Sequence, residues 1–366
     1  MNICVAGKNN IAVDVLQYLI DNNNGRYSLC VVCNKTRSEL VSSQKSLKEV
    51  ALRNHIKTLE LEDVYGFEDL VFLSMEFDRL IRPERFSDAR LYNIHFSLLP
   101  EYKGMYTSAL PILHGAGYSG VTFHMIDAGI DTGDIIDQER IEINAKDTCR
   151  DLYFKYIEYG TRLVIRNLES VICNKVITRR QKTDNASYYS RKAIDYNNLS
   201  VDFNAVAVYV ERQIRAFSFR EYQMPKYNGV DIIDCLITNI KSCSRPGEIL
   251  LEDESSMMVS TIDYNVVLYK DRFSELITAC ITGEYDRMKS ICSVVKHINE
   301  VDFEGRSPLI HATIHNQKEI AKYLIMNGAN IYIKDNNLKD LLLYAKDAYK
   351  EHGDRELFDL YKRLGL

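Results

Sequence analysis

The sequence predicts an α/β protein in three parts: a Rossmann-like domain over residues 1–178, a linker with a small β-containing subdomain over 179–269, and a C-terminal all-α repeat array over 270–366. Three observations carry this. Strand-like and helix-like patterns alternate through the first 75 residues, short β-like segments flank Pro246-Gly247, and the last hundred residues repeat with a period of 33.

In order, Asn2 to Ala6 reads as a strand, Ala12 to Ile20 as a helix, Tyr27 to Cys33 as a strand, Ser46 to Arg53 as a helix and Leu70 to Ser74 as a strand. This is the rhythm of a parallel sheet. Gly7-Lys8-Asn9-Asn10 fills the first strand-to-helix turn, but its spacing is not G-x-G-x-x-G, which disfavours a dinucleotide. Lys8 and Asn9 either shape the mouth of a site at the carboxyl ends of the strands or form a plain surface turn. Leu91 to Phe96 and Ile135 to Ile143 are further strands, and Asp147-Thr148 caps a helix running through Leu152, Tyr156 and Leu163 to Leu168.

From Thr178 to Asn198 the chain turns polar and aromatic. There Tyr188, Arg191 and Lys192 suit diphosphate and sugar contacts as well as they suit an exposed linker. Val201 to Ala216 is apolar at helical spacing and leads into Arg215, Phe217, Phe219 and Tyr222. That is either a guanidinium for phosphate with rings for a pyrimidine, or a helix end packed on aromatics. Val230 to Thr238 and Met258 to Leu268 are the strands of the small β subdomain. Beyond Phe273, Leu276, Leu309 and Leu342 recur at a spacing of 33, as do Ala279, Ala312 and Ala345, and Asp302 and Asp335. Ser307-Pro308-Leu309-Ile310-His311-Ala312 approximates the ankyrin signature T-P-L-H-x-A, so three ankyrin repeats are expected, with His311 holding a repeat turn.

A hydrophobic fraction of 46% with 27% charged residues is that of a globular chain, and no apolar run approaches the length of a membrane span. Met1-Asn2-Ile3-Cys4-Val5 enters a strand pattern without a basic leader, so a cytoplasmic location is expected. Nine scattered cysteines fit a reduced compartment, and Cys30-Val31-Val32-Cys33 reads as a buried strand, leaving no metal site. A net charge of -5, with basic and acidic residues balanced over 270–366, disfavours nucleic acid as a partner.

The chemistry concentrates in Asn93-Ile94-His95, then Ser97-Leu98-Leu99-Pro100, then Asp131-Thr132-Gly133-Asp134. On a strand, Asn93 and His95 point to the same side. A carboxamide can donate to a developing oxyanion while an imidazole takes a proton from an attacking amine, and Asp131 could orient that imidazole.

With these residues the chain resembles the 10-formyltetrahydrofolate-dependent formyltransferases, in particular the branch acting on amino sugars carried by nucleotides. The likeness runs over about residues 1 to 268 and rests on Asn93-x-His95 with Asp131-x-Gly133, on His95 to Thr107, and on Gly120-Val121-Thr122-Phe123-His124. It implies 10-formyltetrahydrofolate as formyl donor, cradled by Ser74, Met75, Phe77, Asp78 and Leu80 and by Asp127, Gly129 and Ile130. It implies a dTDP-linked amino sugar as acceptor, held by Lys8, Asn9, Arg79, Tyr106, Tyr188, Arg191, Lys192, Arg215, Phe217, Phe219 and Tyr222. The first choice of acceptor is 3-amino-3,6-dideoxyglucose, followed by the galactose epimer or a 4-amino sugar, feeding surface polysaccharide such as O-antigen. A homodimer is expected, and the repeats would bind a protein partner or a second nucleotide sugar. The competing reading is an ankyrin scaffold with an inactive formyltransferase domain. A tRNA-directed formyltransferase is disfavoured by the charge balance.

Overall fold

Apolar strands alternating with amphipathic helices build the first part of the chain: β1 (Asn2–Gly7), α1 (Asn9–Asp21), β2 (Ser28–Cys33), α2 (Leu47–Arg53), β3 (Lys57–Thr58), β4 (Leu70–Met75) and β5 (Ala89–His95). The structure, a computed structural model, describes residues 1–35, 45–182, 184–294, 298–302 and 304–366. These form two units, the first reaching Lys226 and the second beginning at Tyr227. Residues 179–226 thus pack with the first unit.

The first unit continues with β6 (Lys103–Gly104), α3 (Leu110–Leu113), β7 (Tyr118–Met125), β8 (Ile135–Glu142), α4 (Cys149–Ile172), β9 (Tyr188–Tyr189) and α5 (Ala207–Phe217). Seven strands make its sheet, in the order β3-β2-β1-β4-β5-β7-β8, parallel as far as β5 and antiparallel beyond. The order reverses between β1 and β4, which opens a crevice at the carboxyl ends of those strands.

Both faces of the sheet are covered, as parallel strands require. Ile3 and Val5 of β1 join Tyr92 and Ile94 of β5 and the helix residues Leu16, Tyr156 and Leu163 in one apolar cluster. Cys4, Ala6, Phe72 and Leu91 form a second cluster. Because side chains alternate along a strand, Asn93 and His95 share the Leu91 face and project away from α4. Helix α4 is anchored by a capping box, in which Thr148 Oγ1 accepts from the Asp151 amide and the Asp151 carboxylate accepts from the Thr148 amide.

Two elements differ from the sequence expectation. The helix expected from Val201 starts only at Ala207, because the Gln213 side chain bonds both the amide and the carbonyl of Asp202 and holds the incoming chain extended. The strand expected over Met258 to Leu268 is two strands, split where Thr261 and Asp263 bond each other and the Thr261 hydroxyl donates to the Tyr264 carbonyl. Together β10 (Lys226–Tyr227), β11 (Val230–Lys241), β12 (Ile249–Glu252), β13 (Ser256–Val259) and β14 (Tyr264–Lys270) form a sheet ordered β10-β11-β14-β13-β12.

Three helix pairs follow: α6 (Phe273–Thr282) with α7 (Tyr285–Val294), α8 (Pro308–Ile314) with α9 (Lys318–Met326), and α10 (Leu341–His352) with α11 (Glu356–Arg363). The repeat is visible in side-chain chemistry. Asp302 bonds His311 Nε2 at 2.7 Å, and 33 residues on, Asp335 accepts from the Tyr344 hydroxyl at 2.6 Å. Leu276 and Leu309 are fully buried in one core together with Leu341, one residue ahead of the expected Leu342, which is only partly buried. Leu309→Ala leaves a cavity in the central repeat and should cost about 2–5 kcal/mol, read as a lowered urea midpoint for loss of helical signal in the second unit.

Candidate active site

Strand β5 runs beside β4 with Ser74 opposite Asn93, and beside β7 with Asn93 opposite His124 and His95 opposite Thr122. This register places a second imidazole against the carboxamide. Asn93 Nδ2 lies 3.1 Å from His124 Nε2, and His124 Nδ1 lies 2.7 Å from the Met125 carbonyl. A carbonyl only accepts, so Nδ1 carries the proton and Nε2 accepts from Asn93. Burial pulls His124 down to about 4, with Asp131 opposing that shift, so it remains a neutral acceptor near neutral pH. Sequence reasoning quoted His124 as part of a matching string but gave it no role; the signal for one is its antiparallel pairing with Asn93.

His95 is 8% exposed. Its Nε2 donates to the Tyr102 carbonyl at 2.8 Å, and its Nδ1 stands 3.5 Å from Asp131 Oδ2. Asp131 Oδ2 also accepts from the Gly104 amide at 2.9 Å, and Asp131 Oδ1 lies 3.7 Å from His124 Nε2. Asn93, His95, Asp131 and His124 therefore form one connected cluster.

The string Phe96 to Gly104 supplies backbone to it. Thr122, wholly buried, donates to the Ser97 carbonyl and accepts from the Leu99 amide, and Gln138 bonds the Leu99 carbonyl and Thr122 Oγ1. The loop so pinned includes a cis Leu99-Pro100 bond and turns Tyr102 O onto His95. Gly133 is needed for the following turn, since a Cβ there would lie 1.8 Å from the Met125 carbonyl oxygen.

At the crevice, Glu76 follows β4 and Asn9 follows β1. Asn9 Nδ2 donates to Glu76 Oε2 at 3.2 Å and to the Tyr153 hydroxyl at 3.0 Å, and that hydroxyl donates to Glu76 at 2.9 Å. Burial raises the Glu76 carboxyl above its ordinary value, against Lys8, Tyr153 and Asn9, which favour its charge.

Of the residues expected at the donor, Ser74 and Met75 are buried in β4, and Phe77 packs edge-on to Phe72. Asp78 is exposed, as are Leu80 (63%) and Ile130 (44%). Asp127 accepts from the Gly129 amide and the Thr132 hydroxyl, closing its loop. Of those expected at the acceptor, Tyr188, Arg191 and Lys192 are exposed, and Tyr106 donates its hydroxyl to the Arg191 carbonyl. Arg79 lies over the Phe77 ring and pairs with Glu62. Tyr222 is half-exposed and meets Phe219 edge-on.

The residues of the expected nucleotide grip, Arg215, Phe217 and Phe219, have partners within the domain. Arg215 is spent on Glu211 and the Asp147 carbonyl, and both rings sit in the main core, at 7% and 5% exposure. The end of α5 points inward because its apolar face packs on the domain. Among the described residues no group of three or more His, Cys, Asp and Glu is arranged to hold a metal ion, and no helix is long and apolar enough to cross a membrane.

Residues 1–168 match the formyl transferase family, and residues 227–335 match ankyrin repeats in three copies. The second match begins ahead of the repeats, since 230–270 are antiparallel strands and the first repeat helix starts at Phe273. A solved structure of WlaRD, a sugar 3N-formyl transferase studied with dTDP and 5-N-formyl-THF, is 42% identical, covers 74% of this chain and 97% of its own, and gives a TM-score of 0.67. An N-formyltransferase from Helicobacter canadensis, in complex with folinic acid and dTDP-3-aminofucose, is 41% identical over 74% and 99% of the two chains, with a TM-score of 0.66. Methionyl-tRNA formyltransferase of Lachnospira eligens is more distant, 24% identical over 71% of this chain and 88% of its own. Matched over nearly the whole length of two such enzymes at more than 40% identity, and followed by ankyrin repeats, the chain belongs to the sugar N-formyltransferases of the formyl transferase family.

Proposed function

We propose that the protein transfers the formyl group of 10-formyltetrahydrofolate to the 3-amine of a dTDP-linked 3-amino-3,6-dideoxyhexose, the glucose epimer ahead of the galactose epimer, for surface polysaccharide such as O-antigen. The observation that carries this reading is the Asn93, His95 and Asp131 cluster in a chain similar, over 74% of its length, to two sugar N-formyltransferases, one of them a 3N enzyme and the other bound to dTDP-3-aminofucose. Intact Asn93, His95 and Asp131 speak against the inactive scaffold. The repeats are assigned a protein partner, the small β subdomain a homodimer contact, and the whole a cytoplasmic location.

The residues around the donor site fit a pterin. Gly129 and Gly133 allow close backbone approach, and the exposed apolar side chains of Leu80 and Ile130 offer cover for a flat ring. Ser74, Met75, Phe77, Asp78 and Asp127 would hold it through backbone groups. When bound, 10-formyltetrahydrofolate supplies a formyl carbon to which the sugar amine adds, after which the bond from that carbon to N10 breaks and N10 takes a proton.

The protein's part is proton and charge management. Asn93 has one N–H committed to His124, which fixes the amide plane and leaves the other N–H for the developing oxyanion. His95 has Nε2 committed to the Tyr102 carbonyl, so Nδ1 is the nitrogen that takes the amine proton. Once it does, Asp131 Oδ2, 3.5 Å away, faces the new N–H. Lys8, Asn9, Arg79, Tyr106, Tyr188, Arg191, Lys192 and Tyr222 remain as acceptor contacts.

Incubation with 10-formyltetrahydrofolate and a panel of dTDP- and UDP-amino sugars, including both C4 epimers, should give one formyl mass on a dTDP-3-amino sugar; no mass gain on any sugar would end the proposal. Asn93→Ala should lower kcat by about 100- to 1000-fold, and His95→Asn at least as much. Normal turnover by either variant would remove the assigned roles.

His124 also predicts a pH dependence of stability. Its folded-state value of about 4 lies below the ordinary 6.5, so between these the unfolded chain binds the extra proton. Stability from this group is complete above about pH 6.5 and falls as pH drops toward 4, by about 3 kcal/mol. Urea titrations across this window should show a steeper fall for the natural protein than for His124→Gln.

A further inference from the structure

A second strand holds the catalytic loop in place. Lys103 and Gly104 of β6 pair in parallel with Tyr188 and Tyr189 of β9. The Lys103 amide donates to the Ser187 carbonyl and the Met105 amide to the Tyr189 carbonyl, each at 2.9 Å. The Tyr102 amide donates to Ser187 Oγ at 2.8 Å, while the carbonyl of the same residue accepts from His95 Nε2. Gly104 is alike: its amide reaches Asp131 Oδ2, and a Cβ on it would stand 2.3 Å from the Tyr189 carbonyl oxygen. The Tyr102 ring is stacked on Tyr189 at 5.7 Å and on His114 at 5.8 Å. From the same segment, Gln181 Nε2 donates to the carbonyls of Asp131 and Gly133.

The hydrogen bonds act on the backbone that grips His95 or Asp131, and the ring stack holds the side chain of Tyr102, the residue whose carbonyl meets His95. Tyr102 has φ +54, Asp131 +53 and Tyr106 +63, all in the left-handed region, so these turns depend on neighbouring groups to keep them. Tyr189 contributes a ring face and a backbone carbonyl, and Ser187 a hydroxyl and a carbonyl. Among the described residues, neither side chain hydrogen-bonds His95 or Asp131 itself.

We propose that Tyr189 and Ser187 are positioning residues for formyl transfer, holding the Tyr102 carbonyl on His95 and the Gly104 amide on Asp131. The strand that does this also carries Tyr188, and Arg191 follows it with its carbonyl held by Tyr106. An acceptor nucleotide that engages Tyr188 and Arg191 therefore binds the brace of the catalytic pair, and acceptor binding is coupled to the alignment of His95. This rests on the catalytic roles of His95 and Asp131 proposed above.

The test compares Tyr189→Ala, Tyr189→Phe and Ser187→Ala in the full-length protein, with steady-state kinetics and side-chain ¹H–¹⁵N spectra of the histidines. Loss of the Tyr189 ring should lower kcat about 10- to 100-fold, the scale of a small misplacement of reacting groups, with KM for the folate within about twofold. The His95 Nε2–H signal should shift or broaden. Tyr189→Phe, which keeps the ring, should restore both readouts, and Ser187→Ala should repeat the kcat loss in milder form. Unchanged kcat and an unchanged His95 signal in Tyr189→Ala, or in Ser187→Ala should the first variant not fold, would overturn the inference. If that happens while His95→Asn remains inactive, the function stands and only the brace fails; a natural protein that formylates no sugar brings down the reading beneath both.

Discussion

One hydrogen bond organises the site: His95 Nε2 to the Tyr102 carbonyl, 2.8 Å long. It decides which ring nitrogen is protonated, and so which one has a lone pair to offer. With Nε2 committed, Nδ1 faces Asp131, and a proton arriving there meets a carboxylate already held by the Gly104 amide. A side-chain acceptor in place of Tyr102 O could rotate away, whereas a backbone carbonyl moves only with its loop. The loop is tied down by Thr122, Gln138 and Ser187, none of which belongs to the chemistry. The arrangement places cheap, abundant backbone groups where the reaction needs fixed dipoles.

The cost of that arrangement appears in the backbone. Asn9, Glu76, Tyr102, Tyr106 and Asp131 all have positive φ, and all lie at the catalytic cluster, at the crevice between β1 and β4, or in the turn that joins them to the linker. Non-glycine residues in this region cost of order 1 kcal/mol or more each and persist where surrounding contacts over-determine them. Here those contacts are visible: Asn9 and Glu76 bond each other and Tyr153, Tyr106 holds Arg191, and Asp131 holds Gly104 while Gln181 holds Asp131. The strain and the hydrogen bonds are two descriptions of one preorganised site.

How much of this the sequence reveals depends on the range of the interaction. The parity of Asn93 and His95 is local to one strand, and the period of 33 is local to one repeat, so both were legible. The pairing of His124 with Asn93 is not, because it needs the register of an antiparallel neighbour 31 residues away. The β6 and β9 pairing is harder still, two residues on each side with no periodicity to signal it. Arg215, Phe217 and Phe219 are ambiguous for a different reason. An arginine among aromatics at a helix end has the same pattern whether the rings stack on a ligand or on the core, and only the direction of the apolar face of α5 separates the two.

The same cluster also limits what it can decide. An oxyanion donor, a proton acceptor and a carboxylate serve any primary amine, which is why a sugar N-formyltransferase and a methionyl-tRNA formyltransferase can both resemble this chain. Discrimination between a sugar nucleotide and a tRNA must then come from groups that touch the acceptor beyond its amine. Electrostatics bears on that choice at long range: net charge is -5, and the repeat array carries no excess of basic residues to draw in a polyanion. At short range the proposed acceptor contacts are the exposed ring of Tyr188 and the charges of Arg191 and Lys192, which stand on or just after the strand that pairs with the loop. On the proposed contacts, acceptor choice and catalytic alignment share one short stretch of chain, so a change that alters the first is constrained by the second.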